Sequence, residues 1–194
     1  LRELEESGFI LYIPAHGKNK AKGRYKLIDE YSLFYLKWVE KHNAGRLISR
    51  NYWTTQRNSP QWHAWAGYAF ENICWRHLDQ IINALGLGAV NVTASQWRYQ
   101  STGKDDVGAH IDLIIDRADR CINLCEIKYS EGDFLISKTY EKTVQTKRNI
   151  FREQTGSKKT LFNTLITSQG VKENAHFFSS VDQHITADIL FDGD

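Results

Sequence analysis

Residues 108–130 read GAHIDLIIDRADRCINLCEIKYS and are the stretch that decides the fold. Two apolar runs flank a charged turn, which predicts two antiparallel strands at about 109–116 and 121–129. Asp112, Glu126 and Lys128 lie inside these runs, where ionisable groups are costly to bury. The burial of these three groups therefore needs an explanation, either as ion pairs or as a functional site.

The composition is typical of a globular protein of 194 residues, with 41% hydrophobic and 25% charged residues, 2 prolines and a net charge of +2. No apolar run approaches the roughly 18 residues of a membrane span, and the charged start, LRELEESGFI, is not a signal peptide. Three cysteines without zinc-site spacing indicate reduced thiols. We therefore expect a cytoplasmic protein without a membrane segment. Because the chain begins inside an element and without Met, we also expect it to be part of a longer protein.

Residues 1–50 resemble part of a winged-helix module. A helix end at 1–7 precedes strand-like runs at 9–14 and 23–29, which enclose a basic loop, and a helix at 29–43 follows. The alternative is an ordinary β-hairpin packed beside its neighbour. The polar, turn-rich segment 51–60 is interpreted as the boundary to a second domain at 51–194.

The second domain shows an α/β pattern. The sequence predicts a helix, a strand, the two strands of the opening stretch, a helix, and two more strands before an apolar end. These segments are 61–85, 90–101, 109–116, 121–129, 137–154, 160–167 and 176–178. The helix between the third and fourth strands implies a parallel strand pair.

Strand alternation places Glu126 and Lys128 on one face, and it places Asp112 on the face of Ile114 and Asp116. Because the two strands are antiparallel neighbours, we expect Asp112 to lie beside Glu126. Two close carboxylates repel each other unless a cation intervenes, and Mg²⁺ or Mn²⁺ suits oxygen ligands. Lys128 is then placed to contact a metal-bound water or a phosphate. The alternative is a cross-strand ion pair on a surface hairpin, which contributes little.

Asp112 followed by Glu126-Ile127-Lys128 resembles the D…ExK core of the PD-(D/E)XK nuclease superfamily, and the order of elements matches over roughly 60–180. The resemblance implies a restriction-endonuclease-like mixed sheet flanked by helices. It implies catalytic roles for Asp112, Glu126, Lys128 and the helix carboxylate Glu71. The metal ligands would be Asp112, Glu126, the backbone carbonyl of Ile127 and, in addition, Glu71. Ile111 stands where the family pattern has proline.

A second resemblance covers nearly the whole chain. The segments LEESGFI, GRYKLIDEYSLFYLKW, AGYAFENIC, IDLIIDR, INLCEIKYS and TLITSQG are similar to the C-terminal part of archaeal-type AAA-like ATPases. In that family an ATPase module precedes a winged-helix segment and a nuclease-like domain. The resemblance implies that the missing ATPase module is a partner in the same chain. TGSKKT at 155–160 lacks the first glycine of a P-loop, so ATP binding is not expected here.

Two basic segments are candidates for nucleic-acid contacts. Residues 17–26 and 138–159 each have a net charge of +5. The candidate residues are Lys18, Lys20 and Lys22 in the first, and Lys142, Lys147 and Arg148 in the second. A solvated loop or helix face is the alternative for either segment.

Three functional hypotheses follow. The first is a Mg²⁺-dependent nuclease-like domain that acts on DNA. The second is a non-catalytic DNA- or protein-binding module that regulates the ATPase, and it predicts salt-dependent binding without cleavage. The third is an interaction or oligomerisation domain whose aromatic surfaces contact a partner.

Overall fold

The computed structural model describes residues 1–17, 23–40, 51–57, 59–101, 103 and 106–191. This part of the chain contains both helices and strands. In order they are α1 (Arg2–Glu6), β1 (Ile10–Ile13), β2 (Arg24–Leu27), α2 (Glu30–Phe34) with a π-helical turn (Tyr35–Val39), α3 (Tyr52–Gln56), α4 (Pro60–Arg76), α5 (Leu78–Ala84), β3 (Val92–Tyr99), β4 (Ala109–Arg117), β5 (Cys121–Lys128), β6 (Phe134–Leu135), α6 (Lys138–Thr155), β7 (Thr160–Thr167), β8 (Val171–Lys172), α7 (Ala175–Ser180), β9 (Gln183–Thr186) and a 3-10 turn (Ala187–Leu190).

A five-stranded mixed sheet in the order β3-β4-β5-β7-β9 forms the centre of the molecule. The pairs β3–β4 and β4–β5 are antiparallel, whereas β5–β7 and β7–β9 are parallel. Helix α6 connects β5 to β7, as the crossover in the sequence predicted. The predicted α/β pattern with a mixed sheet is therefore confirmed.

Helices cover both faces of the sheet, because β4 and β5 carry apolar side chains on each of their two faces. On one face, Phe70 and Cys74 of α4 pack with Leu113 and Cys125. On the other face, Phe151 of α6 packs with a group of strand residues: Trp97, Ile111, Ile114, Ile122 and Leu124. Burial of side chains of this size stabilises the fold by about 1.5–3 kcal/mol each.

Helices α4 and α6 begin and end where the sequence supplies capping groups. The hydroxyl of Ser59 accepts a hydrogen bond from the N–H of Trp62, and Pro60 occupies the first turn of α4. Ser137 caps α6 in the same way, through the N–H of Tyr140. Gly156 ends α6 with φ +63°, a left-handed conformation that glycine adopts without strain. These caps fix the helix on either side of the sheet.

The β1–β2 hairpin packs against the sheet domain. Ile13 is part of the same core as Phe70, and the side-chain amide of Asn72 donates to the carbonyl of Leu27 at 3.0 Å. The backbone of His16 donates to Gln96 on β3 at 2.8 Å. Two antiparallel strands between helices agree with the predicted hairpin, and the winged-helix assignment stays a prediction.

Two local predictions differ from the structure, and the segment interpreted as a domain boundary contains a helix that was not predicted. The helix predicted over 61–85 is broken at His77, which separates α4 from α5. Residues 176–178, predicted as a strand, lie in α7 because the side chain of Asn174 caps a helix there by accepting from the N–H of Phe177. The boundary segment 51–60 contains α3, and its Trp53 stacks on Phe34 with ring centroids 5.2 Å apart. No helix among the described residues combines the length and apolar character needed to cross a bilayer.

Candidate functional site

An irregularity in β4 determines where Asp112 lies. Ser95 pairs with Ile114 and Trp97 pairs with Ile111, so β4 has one extra residue between two pairs that are two residues apart on β3. Asp112 and Leu113 occupy this bulge opposite Gln96. A bulge re-aims side chains, and the Asp112 side chain turns toward β5, where its Oδ2 accepts the N–H of Ile127 at 3.0 Å.

The bulge interrupts the alternation assumed from the sequence. Ile111 and Ile114 both belong to the core that contains Phe151, although two residues lie between them along the strand. Strict alternation would have placed them on opposite faces. From Leu113 onward β4 pairs regularly with β5, with Leu113 opposite Cys125 and Ile114 opposite Leu124, and this register directs Asp112 toward Glu126. The prediction that Asp112 shares a face with Ile114 stays a prediction.

Asp112, Glu126 and Lys128 lie together at the end of β5. The Lys128 Nζ atom lies 3.7 Å from Asp112 Oδ2 and 3.4 Å from Glu126 Oε2. The side chain of Glu126 is 8% exposed, and that of Asp112 is 13% exposed. One ammonium thus lies between two largely buried carboxylates, which offsets their mutual repulsion.

Lys147 of α6 adds a second ammonium to this group. Its Nζ lies 2.7 Å from Oε1 and 2.8 Å from Oε2 of Glu126, so it contacts both carboxylate oxygens. Ser137 caps α6, and the helix lies over β4 and β7, which brings Lys147 above Glu126. We call the four side chains of Asp112, Glu126, Lys128 and Lys147 the charged cluster.

The pKa values of Asp112 and Lys128 reflect this arrangement. Burial would raise the pKa of Asp112, but a hydrogen bond from His110, the charge of Lys128 and the N–H of Ile127 together lower it. Burial would lower the pKa of Lys128, but the charges of Glu126 and Asp112 raise it above its usual value. The Asp112 carboxylate and the Lys128 ammonium therefore both stay charged at neutral pH.

Glu71, the predicted third carboxylate, is held in a separate ion pair. Its Oε1 lies 2.6 Å from Nζ of Lys26 on β2 and accepts a hydrogen bond from the Gln96 amide at 3.3 Å. Lys26 is 8% exposed, and its ammonium also lies 4.5 Å from the ring centroid of Tyr68. We call this contact the Glu71–Lys26 pair.

The donor chemistry fits a divalent ion held by two carboxylates and by water. Asp112 and Glu126 supply hard oxygen ligands, and both carboxylates approach the same atom, Nζ of Lys128. Among the described residues, however, no three or more His, Cys, Asp and Glu side chains come close enough to hold a metal ion. A site in which Glu71 joins Asp112 and Glu126 as a ligand therefore does not fit. For Ile127, the structure shows its N–H donating to Asp112.

The other predicted nucleic-acid contacts lie in different surroundings. Lys147 belongs to the charged cluster. Arg148 lies 3.5 Å from Oδ2 of Asp182, and Lys142 is exposed on α6. Lys18, Lys20 and Lys22 lie outside the described residues.

Sequence reasoning missed three features of the site. His110 Nδ1 lies 3.4 Å from Asp112 Oδ1, and the i, i+2 spacing on a strand was the signal that could have identified it. Lys147 was expected to contact nucleic acid rather than Glu126. The ring of Tyr140 lies 5.8 Å from Lys128 Nζ, and its buried hydroxyl has no hydrogen-bond partner within the described part of the chain.

The fold and site together define a mixed α/β protein with a largely buried carboxylate–ammonium cluster where two adjacent strands meet. A comparison with protein-family models found no match. Comparisons with curated proteins and with solved structures found no match either.

Proposed function

We propose that the chain is a Mg²⁺-dependent nuclease-like domain that acts on DNA phosphodiesters. The observation that supports this proposal is the approach of Asp112 and Glu126, from adjacent strands, to one ammonium nitrogen. Buried ion pairs contribute little net stability compared with apolar side chains, so a cluster of four charged groups is better explained by chemistry than by folding. Clustered ionisable groups at a strand end are typical of functional sites.

The roles follow from position. Asp112 and Glu126 would hold the metal, and the bulge with its hydrogen bond from Ile127 would keep Asp112 oriented. A bound Mg²⁺ would supply Lewis-acid stabilisation of the phosphate and a more acidic water. Lys128, as an ammonium, would donate hydrogen bonds to a phosphate oxygen and offset the charge that develops there. Lys147 would orient Glu126 through contacts to both oxygens.

Cleavage of labelled DNA in Mg²⁺ tests the proposal. Asp112→Asn and Lys128→Gln are each expected to lower the rate by at least about a hundredfold, because the first removes a charged metal ligand and the second removes the ammonium that would contact the phosphate. Lys172→Gln, an exposed lysine of β8 outside both basic segments, is the matched control and is expected to cut at the parent rate. Circular dichroism and melting temperatures check that the variants fold. Metal-independent cleavage, or parent activity in both cluster variants, would contradict the proposal.

A second candidate is a non-catalytic nucleic-acid-binding module that regulates an ATPase module of the same protein. The specific observation in its favour is that Lys147 already contacts both oxygens of Glu126 while Lys26 holds Glu71. Protein cations thus occupy the carboxylates on which metal binding depends. This candidate predicts DNA binding that weakens steeply with salt, and no cleavage in Mg²⁺ or Mn²⁺. Metal-dependent cleavage that is lost in Asp112→Asn would exclude it.

A further inference from the structure

Three neighbouring cavities that share lining residues lie along the outer edge of β3. The largest has a volume of about 580 Å³ and extends from Ile13 to Gln100. A second, of about 490 Å³, shares Arg98 and Tyr99 with it. A third, of about 130 Å³, shares Arg24 with the first and His110 with the second. We call these three adjacent cavities the edge cleft and define it by His16, Arg24, Gln96, Arg98, Tyr99 and His110.

One end of the edge cleft lies beside the charged cluster. His110 lines both smaller cavities, and its Nδ1 lies 3.4 Å from Oδ1 of Asp112. Glu71 lines the smallest cavity. A chain that follows the cleft from His16 therefore ends within reach of Asp112.

Two arginines give the edge cleft a net positive charge. Arg24 and Arg98 are both exposed, and within the described residues no Asp or Glu lines the two larger cavities, although the Tyr99 hydroxyl donates to Asp106 Oδ2 at 2.6 Å beside them. Glu71 is the one acidic residue described at the smallest cavity, and Lys26 neutralises it. Arg24 uses Nε to donate to Gln96 Oε1 at 3.0 Å, which leaves its terminal amino groups for a ligand. The planar guanidinium group of an arginine can donate two parallel hydrogen bonds to one phosphate group.

The backbone of β3 favours phosphate over a peptide strand. β3 pairs with β4 on one side, and on its other side the backbone of Gln96 bonds to Pro14 and His16. Since outward peptide groups recur every second residue, Arg98 is the next with an N–H at this edge, and β3 ends at Tyr99. On the cleft side of Gln96, this single residue of β3 is too short to pair with an added strand, but its amide suits an anion.

We propose that the edge cleft binds the sugar-phosphate backbone of a single-stranded nucleic acid and leads it to the charged cluster. Arg24 and Arg98 hold phosphates, and the half-buried ring of Tyr99 forms an apolar wall beside them. A positive groove with an aromatic side chain is typical of single-strand binding, and a flexible strand can follow a recess that a rigid duplex cannot enter. This inference deepens the proposed function by naming its substrate class and rests on that function for the direction of the strand.

Fluorescence anisotropy in chelator tests the cleft without any cleavage. The probes are a labelled single-stranded DNA of mixed sequence and its blunt duplex. The Arg24→Ala/Arg98→Ala double variant is expected to bind the single strand more than about tenfold more weakly, and its salt slope is expected to fall by about 1.4, or about 0.7 for each lost phosphate contact. Arg2→Ala is the control, because the Arg2 side chain is 89% exposed on α1 and, among the described residues, forms an ion pair with Glu6 alone.

The outcomes separate this proposal from the catalytic one. Arginine-dependent binding of the single strand supports the cleft even if no DNA is ever cut. Binding of the double variant at parent strength overturns it, and equal affinity of the parent for the duplex overturns the assignment to single strands. Cleavage that requires Asp112 but is unchanged in the arginine variants would support the nuclease and overturn the cleft. Both arginines are exposed, so parent melting temperatures are expected and confirm folding.

Discussion

The charged cluster and the Glu71–Lys26 pair both hold carboxylates near the bulge in β4, but these carboxylates contact different numbers of ammonium groups. Glu126 contacts two ammonium groups, from Lys128 and Lys147, and one of these also approaches Asp112. Glu71 contacts a single ammonium, from Lys26. Lys128 and Lys147 are 29% and 23% exposed, whereas Lys26 is 8% exposed.

The two regions differ in the expected consequence of removing one partner of an ion pair. Within the cluster, a lysine that loses its carboxylate can turn toward water or toward the remaining carboxylate. In the pair, the Lys26 ammonium would stay buried over the Tyr68 ring without an anion. An uncompensated buried charge is much more costly than a broken exposed pair. The cluster is therefore suited to exchanging partners with a ligand, and the pair is suited to holding the hairpin on α4.

The largest effect on stability is expected from breaking the pair. Glu71→Gln leaves Lys26 without its carboxylate, and the free energy of unfolding is expected to fall by about 3–5 kcal/mol. Denaturant titration measures it. Lys26→Met in the Glu71→Gln background removes the stranded charge and is expected to recover most of the loss. A loss below about 1 kcal/mol in Glu71→Gln would show that Lys26 reaches water, and the contrast between the two regions would disappear.

A smaller loss is expected from the equivalent change in the cluster. Glu126→Gln is expected to lower the free energy of unfolding by about 1–2 kcal/mol, because an amide oxygen still accepts one hydrogen bond and both lysines are partly exposed. The same titration compares it directly with Glu71→Gln. If Glu126→Gln costs as much as Glu71→Gln, the cluster is a structural ion pair rather than an exchangeable one.

The sequence predicted the parts of this site that depend on local pattern. Apolar runs at 109–116 and 121–129 predicted β4 and β5, and the amphipathic segment at 137–154 predicted α6 within two residues at its ends. Together with the spacing between Asp112 and Glu126, these were enough to bring the two carboxylates to neighbouring strands.

The parts that it could not predict depend on tertiary contacts. A bulge is a register shift between two strands, and no single residue in IDLII signals it. The partner of Glu126 lies 21 residues away on α6, and the partner of Glu71 lies 45 residues away on β2. Partners at such distances depend on helix rotation and hairpin packing, which strand alternation does not encode. The contact between Glu71 and Lys26 was therefore not predicted.

Removal of one cluster ammonium is expected to strengthen metal binding. Lys147 and a divalent ion compete for Glu126, so Lys147→Gln is expected to bind Mg²⁺ about tenfold more tightly than the parent chain. Since ligand binding stabilises the folded state in proportion to the logarithm of affinity, saturating Mg²⁺ should add about 1.4 kcal/mol more in this variant, or about 2–6 °C in melting temperature. Lys142→Gln is the control on the same helix. If Mg²⁺ raised the melting temperature equally in both variants, the ion would bind away from Glu126.

The smallest effect is expected on acidification, because burial offsets part of what lowers the pKa of Asp112. A carboxyl whose folded-state pKa is below its unfolded value of about 3.9 contributes stability above that pH, and the contribution is lost as the pH falls through the folded-state pKa. Between about pH 5 and 3 the parent chain should therefore lose more unfolding free energy than Asp112→Asn, which lacks this titration. Denaturant titrations in chelator measure the difference. A steeper loss in Asp112→Asn would mean that folding raises the pKa of Asp112, and that Lys128 and His110 do not stabilise its charged form.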